Sequence, residues 1–142
     1  MGGLGGPTKR KLEAMMTTCT LCYEYLATCT TIVAENDTCF YVEIPHEVLN
    51  GWGMVLPKRH CETVFDLTEN EMVDTHHLLT LAKKKLEASL QPDGFNVGWN
   101  CLPVGGQDTP HAHCHLIPRF RDEPLADQGI RYWFKQSSNR RP

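Results

Sequence analysis

The sequence predicts one α+β domain with a mostly antiparallel sheet of about five strands and one long helix. Short runs rich in β-branched and aromatic residues alternate with turn residues along much of the chain, as in strands joined by tight connections. A single longer segment instead has apolar residues at helical spacing. The 142 residues suit one domain with a sizeable core, and 41% hydrophobic with 22% charged residues is ordinary for a globular protein.

The predicted strands are short, and each is bounded by turn-forming residues. They cover residues 31–34, 39–44, 53–56 and 95–100, followed by a histidine-rich strand that ends at Pro118. Asn36-Asp37 between the first two runs favours a hairpin. Proline, which donates no hydrogen bond to a strand partner, ends the second and third runs at Pro45 and Pro57.

The predicted helix has a clear beginning and end. Thr68 followed by Glu71 fits a capping box, in which each side chain satisfies a free backbone N–H of the first turn. Residues 92–94 (Pro-Asp-Gly) end the helix. The residues at helical spacing that predict its packed stripe are Met72, His76, Leu79, Leu86 and Leu90.

The chain divides into a predicted flexible leader at residues 1–18 and a single domain at 19–142, with a polar, basic tail from about residue 120. No apolar run is long enough for a membrane span, and the leader lacks the apolar segment of a signal peptide. A net charge of −3 gives no overall attraction to a nucleic acid polymer or a membrane. Seven mostly scattered cysteines then indicate free thiols in a reducing compartment, so we expect a cytoplasmic protein.

His111, His113 and His115 occupy alternate positions, so in a strand they would form a row on one face, with neighbours roughly 6.5–7 Å apart. Three imidazoles on one face are hard to explain structurally, because each needs its own polar partner. The row suits either a metal site or a nucleophilic histidine oriented by its neighbours. The preceding loop, residues 105–109, can direct backbone N–H groups and an amide at an anion, which favours the nucleophile.

Several segments together resemble the histidine triad (HIT) superfamily. Asn100, Gln107 and the run from His111 to Arg119 look like its signature, and residues 55–60, 65–69 and 94–98 resemble its upstream motifs. The resemblance spans roughly residues 19–120. Its nearest branch looks like the bacterial-type diadenosine polyphosphate hydrolases and histidine triad nucleotide-binding proteins. The resemblance implies a HIT-like fold, a homodimer and a purine nucleotide or dinucleotide substrate, with no organic cofactor.

The resemblance also implies a two-step hydrolysis of dinucleoside polyphosphates or nucleoside phosphoramidates. His113 would attack the α-phosphorus and form a nucleotidyl-histidine, which water then releases. His115 would donate a hydrogen bond to a phosphate oxygen, and Gln107 and Asn100 would hold phosphate oxygens or the leaving group. Glu43 would accept hydrogen bonds from the ribose hydroxyls.

Asp108 departs from the family pattern, which often has a hydroxyl residue able to donate to the leaving group. A carboxylate repels phosphate and cannot donate unless protonated, although the hydroxyl of Thr109 would substitute if the loop shifted. Two alternatives to the hydrolase therefore stay open. One is a nucleotide-binding sensor or interaction protein with little turnover, and the other is a nucleotidyltransferase.

Cys19 and Cys22 form a pair whose spacing is by itself a weak metal signal, because zinc needs four ligands. Some members of the resembled family bind zinc through such a pair, the histidine after the Pro-Lys motif and the first histidine of the triad. The corresponding residues here are Cys19, Cys22, His60 and His111. The resemblance thus implies a structural zinc ion and assigns His111 to the metal rather than to the reaction.

Overall fold

A computed structural model describes residues 19–142, and the leader predicted at 1–18 lies outside the described residues. The strands are β1 (Ile32–Glu35), β2 (Cys39–Glu43), β3 (Gly53–Pro57), β4 (Gly94–Trp99) and β5 (Cys114–Arg119). The helices are α1 (Tyr23–Cys29), α2 (Glu69–Leu90) and α3 (Ile130–Phe134). Short 3-10 turns lie at Val64–Asp66, Pro103–Gly105 and Ser137–Asn139.

The five strands within residues 19–142 form one sheet in the order β1-β2-β3-β5-β4, and every neighbouring pair is antiparallel. The predicted fold class is confirmed, with strand ends within two residues of those predicted for the first four. The fifth strand differs. It begins only at Cys114, so His111 and His113 lie in the irregular segment before it and His115 alone is a strand residue.

The two faces of the sheet carry different layers. One face packs against α2 through a cluster that includes Tyr41, Val55 and Leu116. The other face packs against α1, where Leu26 contacts a cluster that includes Phe40. This second face also carries the histidine site described below.

The capping box of α2 is confirmed: Glu71 N–H donates to Thr68 Oγ1 at 3.1 Å, and Thr68 N–H donates to Glu71 Oε1 at 2.9 Å. Of the predicted packed stripe, Leu86 is buried and Leu79 and Leu90 pack against the core, whereas the prediction was wrong for Met72 and His76, which are exposed. The buried face consists of Glu71, Thr75, Leu78, Ala82 and Leu86. Two polar residues can lie there because Arg59 pairs with the Glu71 carboxylate at 2.8 Å and Thr75 donates to the Glu71 carbonyl at 2.7 Å.

Helix α1 was not predicted. It has seven residues and buries only Leu26, so its sequence carries no helical periodicity. Its start is held in place by two adjacent residues. Cys22 is the N-cap and belongs to the metal cluster described below, and Tyr23 packs edge-on against Phe40 with ring centroids 5.2 Å apart.

The tail beyond β5 is held to the body by Arg119. Its guanidinium donates to the carbonyl oxygens of Leu125 and Gln128 at 2.7 and 2.8 Å, to Asn96 Oδ1 at 2.5 Å and to the Glu123 carboxylate. Beyond the residues that Arg119 contacts, α3 exposes Ile130, Trp133 and Phe134. None of the helices within residues 19–142 is sufficiently long and apolar to cross a membrane.

Replacing Arg119 with alanine will release this tail and lower the free energy of unfolding by about 2 kcal/mol, the scale of a charged hydrogen-bond cluster that is partly buried. Limited proteolysis will show faster cleavage between residues 120 and 130. Arg121→Ala is the matched control, because its guanidinium is largely exposed and lies 3.8 Å from its carboxylate partner Asp93. Equal cleavage rates in both variants would show that Arg119 does not hold the tail.

Candidate active site and metal cluster

His113 is held with one ring nitrogen bonded and the other available. Its Nδ1 lies 2.7 Å from the backbone carbonyl oxygen of His111, and the side chain is only 6% exposed. A carbonyl oxygen accepts only, so Nδ1 carries the proton and the lone pair of the neutral ring is on Nε2. The segment is fixed by a backbone bond from Ala112 N–H to the Cys61 carbonyl at 2.8 Å.

His115 lies beside His113, with ring centroids 4.8 Å apart and planes at 77°. Its Nδ1 accepts a hydrogen bond of 3.1 Å from the indole N–H of Trp52. Burial lowers the pKa of His115, and the nearby His113 lowers it further, whereas the negative charge of Asp108 opposes both effects. The sequence predicted a regular row of three imidazoles on one strand face; the structure instead brings the rings of His113 and His115 closer together than strand spacing would.

Asn100 and the loop of residues 101–109 border this pair. The register of β4 and β5 ends with Trp99 opposite Cys114, so Asn100 and His113 are each the residue just beyond the last pair. Asp108 is exposed and acts on His115 through its charge. The carbonyl of Thr109 accepts the backbone N–H of His111 at 2.8 Å, so Thr109 helps to hold the histidine segment through its backbone.

Gln107 is buried, and its amide already has partners among the described residues. Oε1 accepts the N–H of Leu102 at 2.8 Å, which closes a loop where Leu102 has a positive φ of 67°. Nε2 donates to the Glu62 carbonyl at 2.6 Å. Of the side chain's donors, only the second N–H of Nε2 is left for a phosphate, so Gln107 chiefly ties two loops together.

The structure does not bring Glu43 to the histidines. In β2, Glu43 shares the side of Tyr41, which faces α2, and its carboxylate pairs with Lys85 Nζ at 2.8 Å. The histidine pair lies on the opposite side of the sheet, where Trp52 packs. The predicted contact between Glu43 and a ribose is therefore withdrawn.

The four residues proposed as metal ligands do come together. One Sγ or ring nitrogen from each of Cys19, Cys22, His60 and His111 lies within 4.8 Å of all the others. Three sulfur–nitrogen separations measure 3.4, 3.6 and 3.7 Å. A tetrahedral zinc ion with ordinary Zn–S and Zn–N bonds would place such atoms about 3.6 Å apart, so the donor set and its size fit zinc.

The protonation states of the cluster also suit a cation. Fully buried His111 has its pKa lowered to about 4, chiefly by burial, so the ring is neutral. Its Nε2–H donates to the Pro57 carbonyl at 2.9 Å, which directs the Nδ1 lone pair at the two sulfurs. Burial, with Cys19 adjacent, raises the pKa of Cys22 to about 12, so a cation is what would make this thiol a thiolate.

Comparison with known proteins identifies the family of the chain. The family model described as "HIT domain" matches residues 27–122. The chain is 30% identical over 74 residues to "Protein hit" of Bacillus subtilis, covering 52% of this chain and 51% of that protein. It is 31% identical over 72 residues to the bis(5'-nucleosyl)-tetraphosphatase (asymmetrical) of Schizosaccharomyces pombe, covering 51% of this chain and 40% of that protein.

The crystal structure of a HIT family protein from Bacillus anthracis superimposes with a TM-score of 0.65 at 26% identity, covering 74% of this chain and 77% of that one. A mostly antiparallel sheet, one long helix and a match to the family model over most of the described residues define the class. The chain belongs to the HIT domain family.

Sequence reasoning missed two contributions to the site. Trp52 stands where the resembled family commonly has a histidine, and sequence reasoning assigned that change no role. The carbonyl groups of His111 and Pro57 orient the histidine rings, and no side-chain pattern reveals a backbone acceptor. The alternation of β2 could have placed Glu43, since residues 39, 41 and 43 share one face.

Proposed function

We propose that the protein hydrolyses dinucleoside polyphosphates or nucleoside phosphoramidates through a nucleotidyl intermediate on His113. The observation that carries this proposal is the 2.7 Å contact between His113 Nδ1 and the His111 carbonyl, which leaves the Nε2 lone pair for attack. Membership of a family that contains a bis(5'-nucleosyl)-tetraphosphatase supports the choice of substrate.

The proposed chemistry balances in two steps. Nε2 of His113 forms a bond to the α-phosphorus while the bond from phosphorus to the leaving oxygen or nitrogen breaks, and the leaving group takes up a proton from solvent, which the attacking water returns in the second step. Water then attacks the phosphorus, the P–N bond to His113 breaks and a nucleoside monophosphate leaves. His115, whose ring lies beside that of His113, can donate a hydrogen bond to a phosphate oxygen.

We further propose that Cys19, Cys22, His60 and His111 hold a structural zinc ion. Four protein ligands complete a tetrahedron and leave no position for a reacting water. When bound, the metal would stabilise both thiolates. The zinc ion would affect the reaction only by holding His111 in place, because the backbone carbonyl of His111 is the acceptor that orients the ring of His113.

A homodimer and a cytoplasmic location stay proposals from the sequence. Met72, Val73 and Leu81 are exposed apolar residues of α2 and would be available for association. A nucleotide-binding protein with little turnover is the second candidate function, and exposed Asp108 near His115 is the observation that favours it. A nucleotidyltransferase would share the first step and differ only in the acceptor.

One assay distinguishes the hydrolase from the binding protein. Purified protein is incubated with a fluorogenic adenosine phosphoramidate and, separately, with diadenosine tetraphosphate, and released nucleotides are quantified. The hydrolase releases AMP from at least one of them in water alone. AMP binding without turnover of either substrate would reject the hydrolase, and release that requires added phosphate would indicate a transferase.

Replacing Asp108 with asparagine will raise kcat/KM by about 3–10-fold at low ionic strength, because it removes a charge that repels phosphate at an exposed position. The gain will shrink in high salt, which screens such charges. Asp122→Asn makes the same charge change on another exposed loop and will leave kcat/KM unchanged. A decrease in Asp108→Asn would instead assign the carboxylate a useful role.

A further inference from the structure

The indole of Trp52 lies beside the histidine pair and contacts His115. The residue directly precedes β3 and packs beside the apolar cluster that lies under α1. Its backbone is held on both sides, since Ile44 N–H donates to the Trp52 carbonyl at 2.8 Å and Trp52 N–H donates to the Leu49 carbonyl at 3.3 Å. The backbone that carries the indole is therefore held in place beside the histidine pair.

His46 also helps to hold Trp52 in place. Its Nδ1 accepts the backbone N–H groups of Val48 and Leu49 at 3.1 and 3.0 Å, which closes the turn between β2 and β3. Its ring meets the indole of Trp52 edge-on, with centroids 5.9 Å apart. The indole is thus positioned by its own backbone and by a neighbouring ring.

The contact between Trp52 and His115 is directional. Nε1 of the indole lies 3.1 Å from Nδ1 of His115, within the range of a normal hydrogen bond. The ring planes differ by 26° and the centroids are 5.8 Å apart, so the two rings are stacked with an offset. Within this arrangement the indole N–H points at Nδ1 of His115.

An indole N–H can only donate, so the nitrogen it contacts must carry a lone pair. A neutral imidazole has one proton, which must then be on Nε2. We propose that Trp52 is a positioning residue that selects the Nε2–H tautomer of His115, so that this N–H faces a non-bridging phosphate oxygen of a bound nucleotide. The identity of the ligand rests on the proposed function, whereas the tautomer is a property of the protein alone.

Two neighbouring histidines are consequently held in opposite tautomers by different means. The His111 carbonyl keeps a proton on Nδ1 of His113, which frees its Nε2 to attack. Trp52 keeps the proton off Nδ1 of His115, which commits its Nε2 to donation. A phenyl ring at position 52 would fill much of the same space and select neither tautomer of His115.

The direct test is the tautomer of each histidine, measured by long-range proton–nitrogen NMR on protein labelled with ¹⁵N-histidine, well above the usual histidine pKa. In the unaltered protein, His115 will show a protonated Nε2, and His113 will show a protonated Nδ1 as an internal reference. In Trp52→Phe, the two nitrogen shifts of His115 will move toward each other as both tautomers populate, with His113 unchanged. Trp133→Phe removes an exposed indole and will leave His115 unaltered.

Turnover supplies a second readout. Trp52→Phe will lower kcat by about tenfold, the loss expected for one misdirected hydrogen bond, with KM changed by less than about twofold because the pocket keeps an aromatic ring. A His115 tautomer that is the same in Trp52→Phe as in the unaltered protein would overturn the proposal. A tautomer change in a protein without any turnover would uphold the proposal and reject the hydrolase instead.

The proposal remains testable if Trp52→Phe fails to fold. In the unaltered protein, a scalar coupling across the hydrogen bond will connect Trp52 Nε1 with His115 Nδ1, and the indole proton will exchange slowly with water. An indole proton that exchanges at the rate of the exposed Trp133, with no coupling, would overturn the assignment.

Discussion

His113→Ala will reduce turnover of the adenosine phosphoramidate and of diadenosine tetraphosphate by at least about 10⁴-fold, the scale seen when a nucleophile is removed. The physical reason is that no neighbouring group can take over the attack. His115 has its Nδ1 occupied by Trp52, and His111 has one ring nitrogen bonded to Pro57 and the other directed at the cysteines. Steady-state kinetics with both substrates measures the effect.

The same variant will retain AMP binding within about tenfold, because the contacts of His115 and Asn100 do not depend on the missing ring. Its melting temperature will change little, since the substitution removes one hydrogen bond from the segment. His77→Ala, on the exposed side of α2, is the matched control and will keep full activity. Turnover retained in His113→Ala would show that the nucleophile is another group.

Cys22→Ser will abolish metal binding and lower the melting temperature by at least about 10 °C, which for a domain of this size corresponds to about 3 kcal/mol of stability. Cys22 is buried, begins α1 and contributes sulfur to the four-residue cluster, so its loss detaches α1 from the sheet as well as removing a ligand. Metal analysis and thermal unfolding of purified protein measure both effects.

Cys29→Ser makes the same chemical change at the exposed end of α1 and will keep about one zinc ion per chain with an unaltered melting temperature. A strong chelator will destabilise the unaltered protein toward the level of Cys22→Ser. It will also lower turnover, because release of His111 disturbs the carbonyl that orients His113. Equal zinc content in Cys22→Ser and Cys29→Ser would reject the metal site.

The strands and the capping box could be predicted because their signals are local. A β-branched run between turn residues and a Thr-x-x-Glu at a helix start each act over a few positions. The metal cluster needed the family resemblance, since Cys22 and His60 are distant in sequence and only the fold brings them together.

Other features depend on long-range contacts. The packed side of α2 contains Glu71, a residue that no hydrophobicity pattern assigns to a core. Glu71 can be buried there because Arg59, from another segment, neutralises its carboxylate. Before Cys114 the chain lies outside regular strand geometry, and there the ring of His111 is bonded to the Pro57 carbonyl, a contact between distant segments. Similarly, Gln107 was predicted to contact phosphate, yet its amide is largely committed to two backbone groups.

Intact-protein mass spectrometry of samples quenched during turnover of the adenosine phosphoramidate tests the central claim most directly. The proposed mechanism predicts a protein species heavier by one adenylyl group, with peptide mapping that places the modification on His113 and no such species in His113→Ala. Turnover without any adduct, or an adduct on a residue other than His113, would contradict it.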